Sequence, residues 1–221
     1  MVPEADIDGK TVFVGGGGNL VPLYRNTRNF LLHSGVLSRA KRVVLLPHTI
    51  RENEDLLERM DNRVTIFCRD VGTYLHVTAR ANTPYVYLDH DMAFHIDLDV
   101  FYSEVDKSND APTLFKMQME AVGPTGLALF NKSLPVSNFF RRDEESTGSA
   151  TPDDNIDLSS LFEYGVWPEN AYKAAWCFME AIRRSHRVET DRLHVAIACA
   201  CLLYTSPSPR DRTRSRMPSS A

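Results

Sequence analysis

The sequence is poor in cysteine and in long apolar runs, and it has no excess of basic residues. Three of its four cysteines, Cys68, Cys177 and Cys199, lie far apart and lack the spacing of a metal site. This pattern argues against a disulfide framework or a zinc site and indicates buried thiols in a reducing compartment. No apolar run is long enough to span a bilayer and no signal peptide opens the chain, so we expect a cytoplasmic protein.

The end of the chain differs in composition from the rest. Cys201–Ala221 has no hydrophobic periodicity and is rich in Ser, Pro and Arg, as disordered tails are. Its first part also resembles the translation of a transposon-end sequencing adapter, and Ser215–Ala221 resembles the far end of the same adapter. We therefore expect Cys201–Ala221 to be a non-native, disordered tail and the chain to be a truncated fragment.

Charge argues against nucleic acid as a partner. Without the four arginines and one aspartate of the tail, the formal net charge changes from -4 to -7. A mildly acidic protein offers no bulk positive field to a phosphate backbone, so an anion site would have to be built locally. We expect no nucleic-acid partner.

The first half of the chain alternates short apolar runs with helical patterns. Strands are predicted at 11–14, 43–46, 64–68 and 85–88, and helices at 20–35, 52–60 and 71–81. Continuous apolar strands separated by helices indicate a parallel sheet covered on both faces, which is a Rossmann-like α/β fold. Ligands bind at the carboxyl ends of such strands, so the polar residues that follow each strand should converge on one crevice. They include Gly16, Gly17, Gly18, Asn19, His48, Arg69 and Asp91.

Two features of these strand ends admit alternatives. The run Gly15–Gly18 could bring backbone N–H groups against an anionic or sugar ligand, or it could be a turn that lets strand and helix pack closely. It matches neither the P-loop nor the dinucleotide fingerprint. Asp89, His90 and Asp91, with His95 and Asp97 close by, suggest a metal, but three adjacent loop positions rarely point at one ion, so we predict no metal site.

The composition changes in the second half, where 98–125 mixes acids, prolines and short apolar stretches. We assign residues 1–125 to an N-terminal lobe and 126–200 to a partial C-terminal lobe. Strands are predicted at 126–130 and 136–140, a surface loop at 146–160, a strong helix from Pro168 and a short strand at Val188. The second of these strands runs directly into Arg141 and Arg142.

A helix start near Thr190 is the second candidate site. Thr190 or Asp191 can cap a helix, and the free N–H groups and dipole of a capped start favour an anion. Arg192 adds a planar fork that can bind a phosphate or carboxylate with two hydrogen bonds, and His194 would stand beside that anion as a proton donor. The alternative is structural: Asp191 caps the helix and pairs with Arg192, while His194 is a core histidine.

Six motifs occur together in the order seen in polysaccharide pyruvyltransferases, and the chain resembles that family from Thr11 to Ala200. They are Gly16-Gly17-Gly18-Asn19-Leu20, Pro47-His48-Thr49-Ile50, Phe67-Cys68-Arg69-Asp70, Asp91-Met92-Ala93-Phe94, Phe140-Arg141-Arg142-Asp143-Glu144-Glu145 and Thr190-Asp191-Arg192-Leu193-His194. The resemblance implies a two-lobed, GT-B-like architecture with the active site between the lobes, of which the second lobe is incomplete here. It implies transfer of the pyruvyl group of phosphoenolpyruvate onto two hydroxyls of a hexose as a cyclic ketal, with release of phosphate.

The resemblance also assigns roles. His194 would be catalytic, and Arg192, Arg142 and Arg141 would bind the anionic groups of phosphoenolpyruvate, because arginine forks bind phosphate and carboxylate bidentately. An imidazole titrating near neutrality suits the proton transfers of ketal formation. Further substrate contacts would come from Gly16, Gly17, Gly18, Asn19, Arg69 and Asp91. No cofactor is implied.

The implied partners are phosphoenolpyruvate and a hexose-containing acceptor, which is an exopolysaccharide or its lipid-linked precursor. Peripheral association with membrane-bound polysaccharide assembly machinery is expected. Val21-Pro22 stands where the family usually has Gly-Asp, and His48 where it often has Gln. We expect the truncated polypeptide itself to be inactive and poorly soluble.

Two other functions stay open at this stage. A GT-B glycosyltransferase that uses a nucleotide sugar would share the sheet, the glycine run and a phosphate-binding helix start. Its melting temperature should rise with a nucleoside diphosphate and not with phosphoenolpyruvate. A non-catalytic sugar- or anion-binding protein would be stabilised by ligand without turnover.

Overall fold

The structure is a computed structural model that describes residues 7–105, 110–143, 151–165 and 167–205. The chain divides into two compact units, Met1–His95 and Ile96–Ala221. Each unit has its own hydrophobic core.

The first unit is built on a five-stranded sheet in which every pair is parallel. Its strands are β1 (Thr11–Val14), β2 (Gly17–Leu20), β3 (Arg42–Ile50), β4 (Val64–Cys68) and β5 (Val86–Leu88). The order is β1-β3-β4-β5, and β2 also pairs with β3. The long β3 makes this possible, because Val43 pairs with Val12 of β1 while His48 pairs with Gly17 of β2.

Helices of the first unit pack their apolar positions on this sheet. They are α1 (Asn26–His33), α2 (Val36–Arg39), α3 (Glu54–Leu57) and α4 (Val71–Arg80), followed by a 3-10 turn at Met92–His95. Leu20, Leu31, Leu45, Ile50 and Ile66 are almost fully buried in the core between them. The parallel sheet with its helices confirms the predicted Rossmann-like α/β class.

Part of the predicted pattern is wrong around the glycine run. Gly17 and Gly18 belong to strand β2, and the helix begins at Asn26 instead of near Leu20. Strand β3 continues through Pro47 and His48, so these residues lie within a strand and not after it. The reason is tertiary, since β2 supplies the partner that lets β3 extend beyond Leu46. The predicted helix at 52–60 shortens to Glu54–Leu57.

The second unit is mainly helical. Its helices are α5 (Leu98–Val105), α6 (Ala111–Val122), α7 (Pro124–Phe130), α8 (Leu158–Leu161), α9 (Pro168–Arg183) and α10 (Leu193–Thr205). Two short strands, β6 (Ser137–Asn138) and β7 (Val188–Glu189), pair in parallel. The core centres on Phe115, whose ring lies against Phe130, Phe162 and Trp176.

The predictions for α9 and for a strand at Val188 are confirmed. The predicted strand at 126–130 is wrong, because this segment forms α7. Pro124 occupies the first turn of α7, and an added Cβ at Gly126 would overlap the Met119 carbonyl, so the glycine allows α6 and α7 to pack closely. The predicted strand at 136–140 shortens to two residues.

Two predicted boundaries differ from the observed ones. The chain divides after His95 and not after residue 125, because α5, α6 and α7 contribute Phe101, Phe115 and Leu129 to the core of the second unit. The expected tail begins at Cys201, yet α10 runs on to Thr205, and Cys201 and Leu202 pack against the same core. Residues 206–221 lie outside the described part of the chain.

Candidate functional site

In the first unit, Arg69 lies at the centre of the polar residues that follow the strands. Its Nη1 donates to Oδ2 of Asp91 at 2.7 Å, and its Nε donates to the hydroxyl of Thr49 at 2.7 Å. Both side chains of the Arg69–Asp91 pair are about nine-tenths buried. An added Cβ at Gly18 would lie 2.8 Å from the Arg69 Nη2, so the glycine lets the guanidinium approach the backbone.

The other glycines differ from one another. A Cβ at Gly16 would lie 2.7 Å from the Pro47 carbonyl oxygen, so Gly16 serves close packing of backbone on backbone. Gly17 has φ +144 and open space on its Cβ side. Gly16 therefore allows close packing against strand β3 and not between strand and helix as predicted, while Gly17 leaves room for the predicted ligand contact.

Asn19 contacts His48, which is fully buried in β3. The Asn19 Oδ1 lies 3.1 Å from the His48 Nε2, and the Leu46 carbonyl lies 2.6 Å from the His48 Nδ1. Burial lowers the pKa of His48, with a further contribution from the charge of Arg69, so the ring is neutral near pH 7. Both ring nitrogens therefore face an oxygen, and a neutral ring donates to only one of them, the Leu46 carbonyl or the Asn19 Oδ1.

Asp70 links these residues to helix α4. Its Oδ1 accepts the backbone N–H of Thr73 at 2.8 Å, which caps α4, and also accepts Nη2 of Arg51 at 2.9 Å. Its Oδ2 accepts the hydroxyls of Thr73 and Thr49. Burial alone raises the pKa of Asp70, but the bonds from Thr73 and Arg51 outweigh it and lower the pKa to about 2. Asp70 is therefore ionised over the whole physiological range.

In the second unit, Arg192 lies between two carboxylates. Its Nη2 is 2.7 Å from each oxygen of Asp157 and 3.4 Å from Oδ2 of Asp143. The side chains of Arg192 and Asp157 are 11% and 6% exposed, whereas that of Asp143 is 44% exposed. The Nε of Arg192 is buried and has no hydrogen-bond partner among the described residues, so one edge of its fork is unused.

The chain after β6 joins the same cluster. The N–H of Arg142 donates to Oδ2 of Asp157 at 3.0 Å, and the N–H of Arg141 donates to Oδ1 of Asp191 at 2.9 Å. Nε and Nη2 of Arg141 donate to the two oxygens of Asp143 at 2.7 and 3.0 Å. All three predicted arginines therefore lie in one network, Arg142 through its backbone N–H, and the side chains of Arg141 and Arg192 contact the same exposed carboxylate.

A cavity of about 490 Å³ adjoins this network. Arg142, Asn155 and Asp157 line one part of it, and Asp153, Asp154 and Ser160 add further hydrogen-bonding groups. Three carboxylates face one guanidinium in this lining, so it suits a ligand rich in hydroxyl groups more than an anion.

A sequence profile of the polysaccharide pyruvyl transferase family matches residues 2–202, which is most of the chain. The chain belongs to this family. A solved structure of an uncharacterised protein from Klebsiella pneumoniae is similar to it in fold, with a TM-score of 0.61 and 23% sequence identity. The match covers 89% of this chain and 65% of that one, so the chain spans less than two thirds of that protein's length. Comparison with curated proteins finds no match.

Arg192 directly precedes helix α10 and His194 lies in its first turn, but the predicted caps are wrong. The helix begins at Leu193, after both Thr190 and Asp191. Asp191 instead binds the N–H of Arg141, while the Thr190 hydroxyl accepts the N–H of Arg192 and donates to the Phe139 carbonyl at 2.7 Å. The core-histidine alternative is also wrong, because His194 is exposed.

Sequence reasoning missed Asp157, the buried carboxylate at the centre of the second cluster, because it lay in a predicted surface loop. Asp157 is the N-cap of α8, and its Oδ1 accepts the N–H of Ser160 at 3.4 Å. Asp followed by Leu158 and Leu161 at helical spacing was the signal that could have found it. Burial alone raises the pKa of Asp157, but the bonds from Arg192 and from the N–H of Arg142 outweigh it and keep that pKa below its ordinary value.

Two features are absent from the residues that the structure describes. No group of three or more His, Cys, Asp or Glu side chains in them is arranged to hold a metal ion. No helix in them has both the length and the apolar character needed to cross a bilayer.

Proposed function

We propose that the chain carries the donor-binding part of a phosphoenolpyruvate-dependent pyruvyltransferase that builds a cyclic ketal on a hexose. The observation that carries this proposal is the convergence of Arg141, Arg142 and Arg192 in one network, in a chain of the pyruvyl transferase family. The unused Nε of Arg192 supports it, because a buried donor without a partner is costly unless a ligand satisfies it.

Phosphoenolpyruvate has two anionic groups, a phosphate and a carboxylate. The network offers a different arginine side chain to each of them. Arg192 presents a fork whose Nε has no partner among the described residues, and Arg141 presents a fork to an exposed carboxylate that a ligand can replace. Arginine forks match both phosphate and carboxylate geometry. We assign Arg192 and Arg141 to these two groups and Arg142 to the adjoining cavity that it lines.

The proton transfers of the reaction fit an exposed imidazole at the start of α10. Protonation of the enol carbon turns its CH2 into a methyl group, a sugar hydroxyl oxygen bonds to the neighbouring carbon, and phosphate leaves from that carbon. A second hydroxyl of the sugar then closes the ketal, so one hydroxyl proton ends on the methyl group and the other on phosphate. We assign His194 to deliver the first proton and to recover it from the attacking hydroxyl.

We assign the cluster of the first unit to the saccharide. Arg69 and Asp91 neutralise each other there, so this cluster offers little net charge to an anionic donor. Gly16, Gly17, Gly18 and Asn19 offer backbone groups, of which Gly17 has the most open surroundings. Backbone N–H and C=O groups suit hydroxyls, and the acceptor is a hexose of an exopolysaccharide or of its lipid-linked precursor. Its supply by membrane-bound assembly machinery would place the enzyme in peripheral contact with that machinery.

Calorimetric titration of the chain with phosphoenolpyruvate tests the donor assignment. Wild type should bind phosphoenolpyruvate and not a nucleoside diphosphate. Arg192→Lys keeps the charge but removes the fork, and should weaken binding about tenfold. Arg187→Lys is the matched control, since Arg187 directly precedes β7, is 69% exposed and forms an ion pair with the exposed Glu189. Binding of a nucleoside diphosphate alone would favour a nucleotide-sugar glycosyltransferase instead.

A further inference from the structure

The two carboxylates that contact Arg192 differ in solvent exposure and in their distance from its Nη2. Asp157 is 6% exposed and Asp143 is 44% exposed. Asp157 holds Nη2 of Arg192 at 2.7 Å, whereas Asp143 holds it at 3.4 Å. A buried, hydrogen-bonded pair is costly to break, and an exposed pair contributes little and is readily exchanged.

Asp157 binds two backbone N–H groups in addition to the guanidinium of Arg192. It accepts the N–H of Arg142 and the N–H of Ser160 with the same carboxylate that holds Arg192. One side chain therefore ties together the strand end after β6, the start of α8 and the residue before α10. With Nη2 of Arg192 bound in this way, the orientation of its unused Nε is set before any ligand arrives.

Asp143 is held by two arginine side chains. Its two oxygens accept Nε and Nη2 of Arg141 in a side-on, two-bond geometry, and Oδ2 also reaches Arg192. This is how an arginine fork binds a substrate anion. Two arginines from different segments thus share one exposed, negatively charged group of the protein itself.

We propose that Asp157 is a positioning residue for Arg192 and that Asp143 is an internal placeholder, which the incoming anion displaces from Arg141 and Arg192. The inference rests on the proposed function, since the anion is the phosphate or carboxylate of phosphoenolpyruvate. It assigns opposite effects to the two carboxylates. Removing the charge of Asp143 frees the site, while removing that of Asp157 releases Arg192.

Calorimetric titration of three variants with phosphoenolpyruvate tests this assignment. Asp143→Asn should bind about two- to fivefold more tightly than wild type, which is the range of an exposed ion pair. Asp157→Asn should bind at least tenfold more weakly, because a buried guanidinium loses its charged partner. Glu189→Gln is the matched control. Glu189 is also 44% exposed and also pairs with an arginine two residues away, so its loss changes net charge equally. Its affinity should stay within about twofold of wild type.

The outcomes separate this inference from the proposed function. No binding of phosphoenolpyruvate by wild type overturns both. Binding by wild type, with Asp143→Asn equal to or weaker than wild type, overturns the placeholder role alone. An equal gain in Glu189→Gln also overturns it, because the gain would then come from net charge. Melting temperatures show whether Asp157→Asn is folded. If Asp157→Asn does not fold, Asp143→Asn still tests the placeholder role, because loss of the fold cannot tighten binding of phosphoenolpyruvate.

Discussion

Asp70 should contribute stability to the first unit through its charge, and Asp70→Asn isolates that contribution. Asparagine caps a helix as well as aspartate does, so the bond to the N–H of Thr73 survives while the charge opposite Arg51 is lost. The pKa of Asp70 falls from 3.8 to about 2 on folding. At about 1.36 kcal/mol for each unit, this shift sets an upper limit near 2.4 kcal/mol on the effect.

The expected effect is smaller than this limit. The Asp70 side chain is 35% exposed, so solvent screens its interaction with Arg51. We expect Asp70→Asn to lower the free energy of unfolding by about 1 kcal/mol at pH 7. Because the pKa is lower in the folded state, this stability is present above about pH 4 and is lost as the pH falls towards 2. The difference between wild type and variant should therefore shrink to nearly zero across that window.

Urea unfolding followed by circular dichroism, at several pH values between 7 and 2, measures this difference. Glu58→Gln is the matched control, since Glu58 is an exposed carboxylate of the same unit, and its curve should follow wild type. A difference between Asp70→Asn and wild type that stays constant from pH 7 to pH 2 would refute the linkage argument. So would a variant as stable as wild type at pH 7.

Three further predictions concern packing and catalysis. Gly16→Ala should destabilise the first unit by about 1–3 kcal/mol in urea unfolding, because its Cβ would meet the Pro47 carbonyl. Gly15→Ala is the control and should cost far less, because the space at its Cβ is open. Equal effects of the two substitutions would contradict this account. Phe115→Ala should cost about 3–5 kcal/mol in the same assay, because the ring is 1% exposed at the centre of the second core, and the exposed Met117→Ala on the same helix should change little. His194→Gln should abolish phosphate release in an active enzyme while phosphoenolpyruvate binding stays measurable by calorimetry, and retained turnover would remove His194 from the mechanism.

The sequence predicted the first unit well where local pattern and tertiary contact agree. The apolar runs at 11–14 and 64–68 are strands with those bounds, and Val71 opens a helix capped by Asp70. The pattern failed where a pairing partner decided the structure. Pro47 and His48 have no intrinsic strand pattern, and they continue β3 because β2 lies beside them.

In the second unit, tertiary contacts decided features that the local pattern did not predict. Gly126–Phe130 is apolar enough for a strand, and short apolar runs do not distinguish a buried strand from a buried helix. This segment forms a helix because it packs against α6 and because Pro124 stands in the first turn of α7. The predicted division after residue 125 differs from the observed one for the same reason, since which core a helix joins depends on contacts distant in sequence.

By itself, the sequence determined the α/β class, the family motifs and the residue types of the candidate site, because periodicity and motif order are local properties of the chain. The tertiary structure decided which of these residues meet. It placed Arg192 between Asp157 and Asp143, residues 35 and 49 positions away, and it turned Asp191 towards Arg141 instead of the α10 start. Burial then separated the two carboxylates into a fixed and an exchangeable one, and burial depends on the packing of the whole unit, which no local pattern contains.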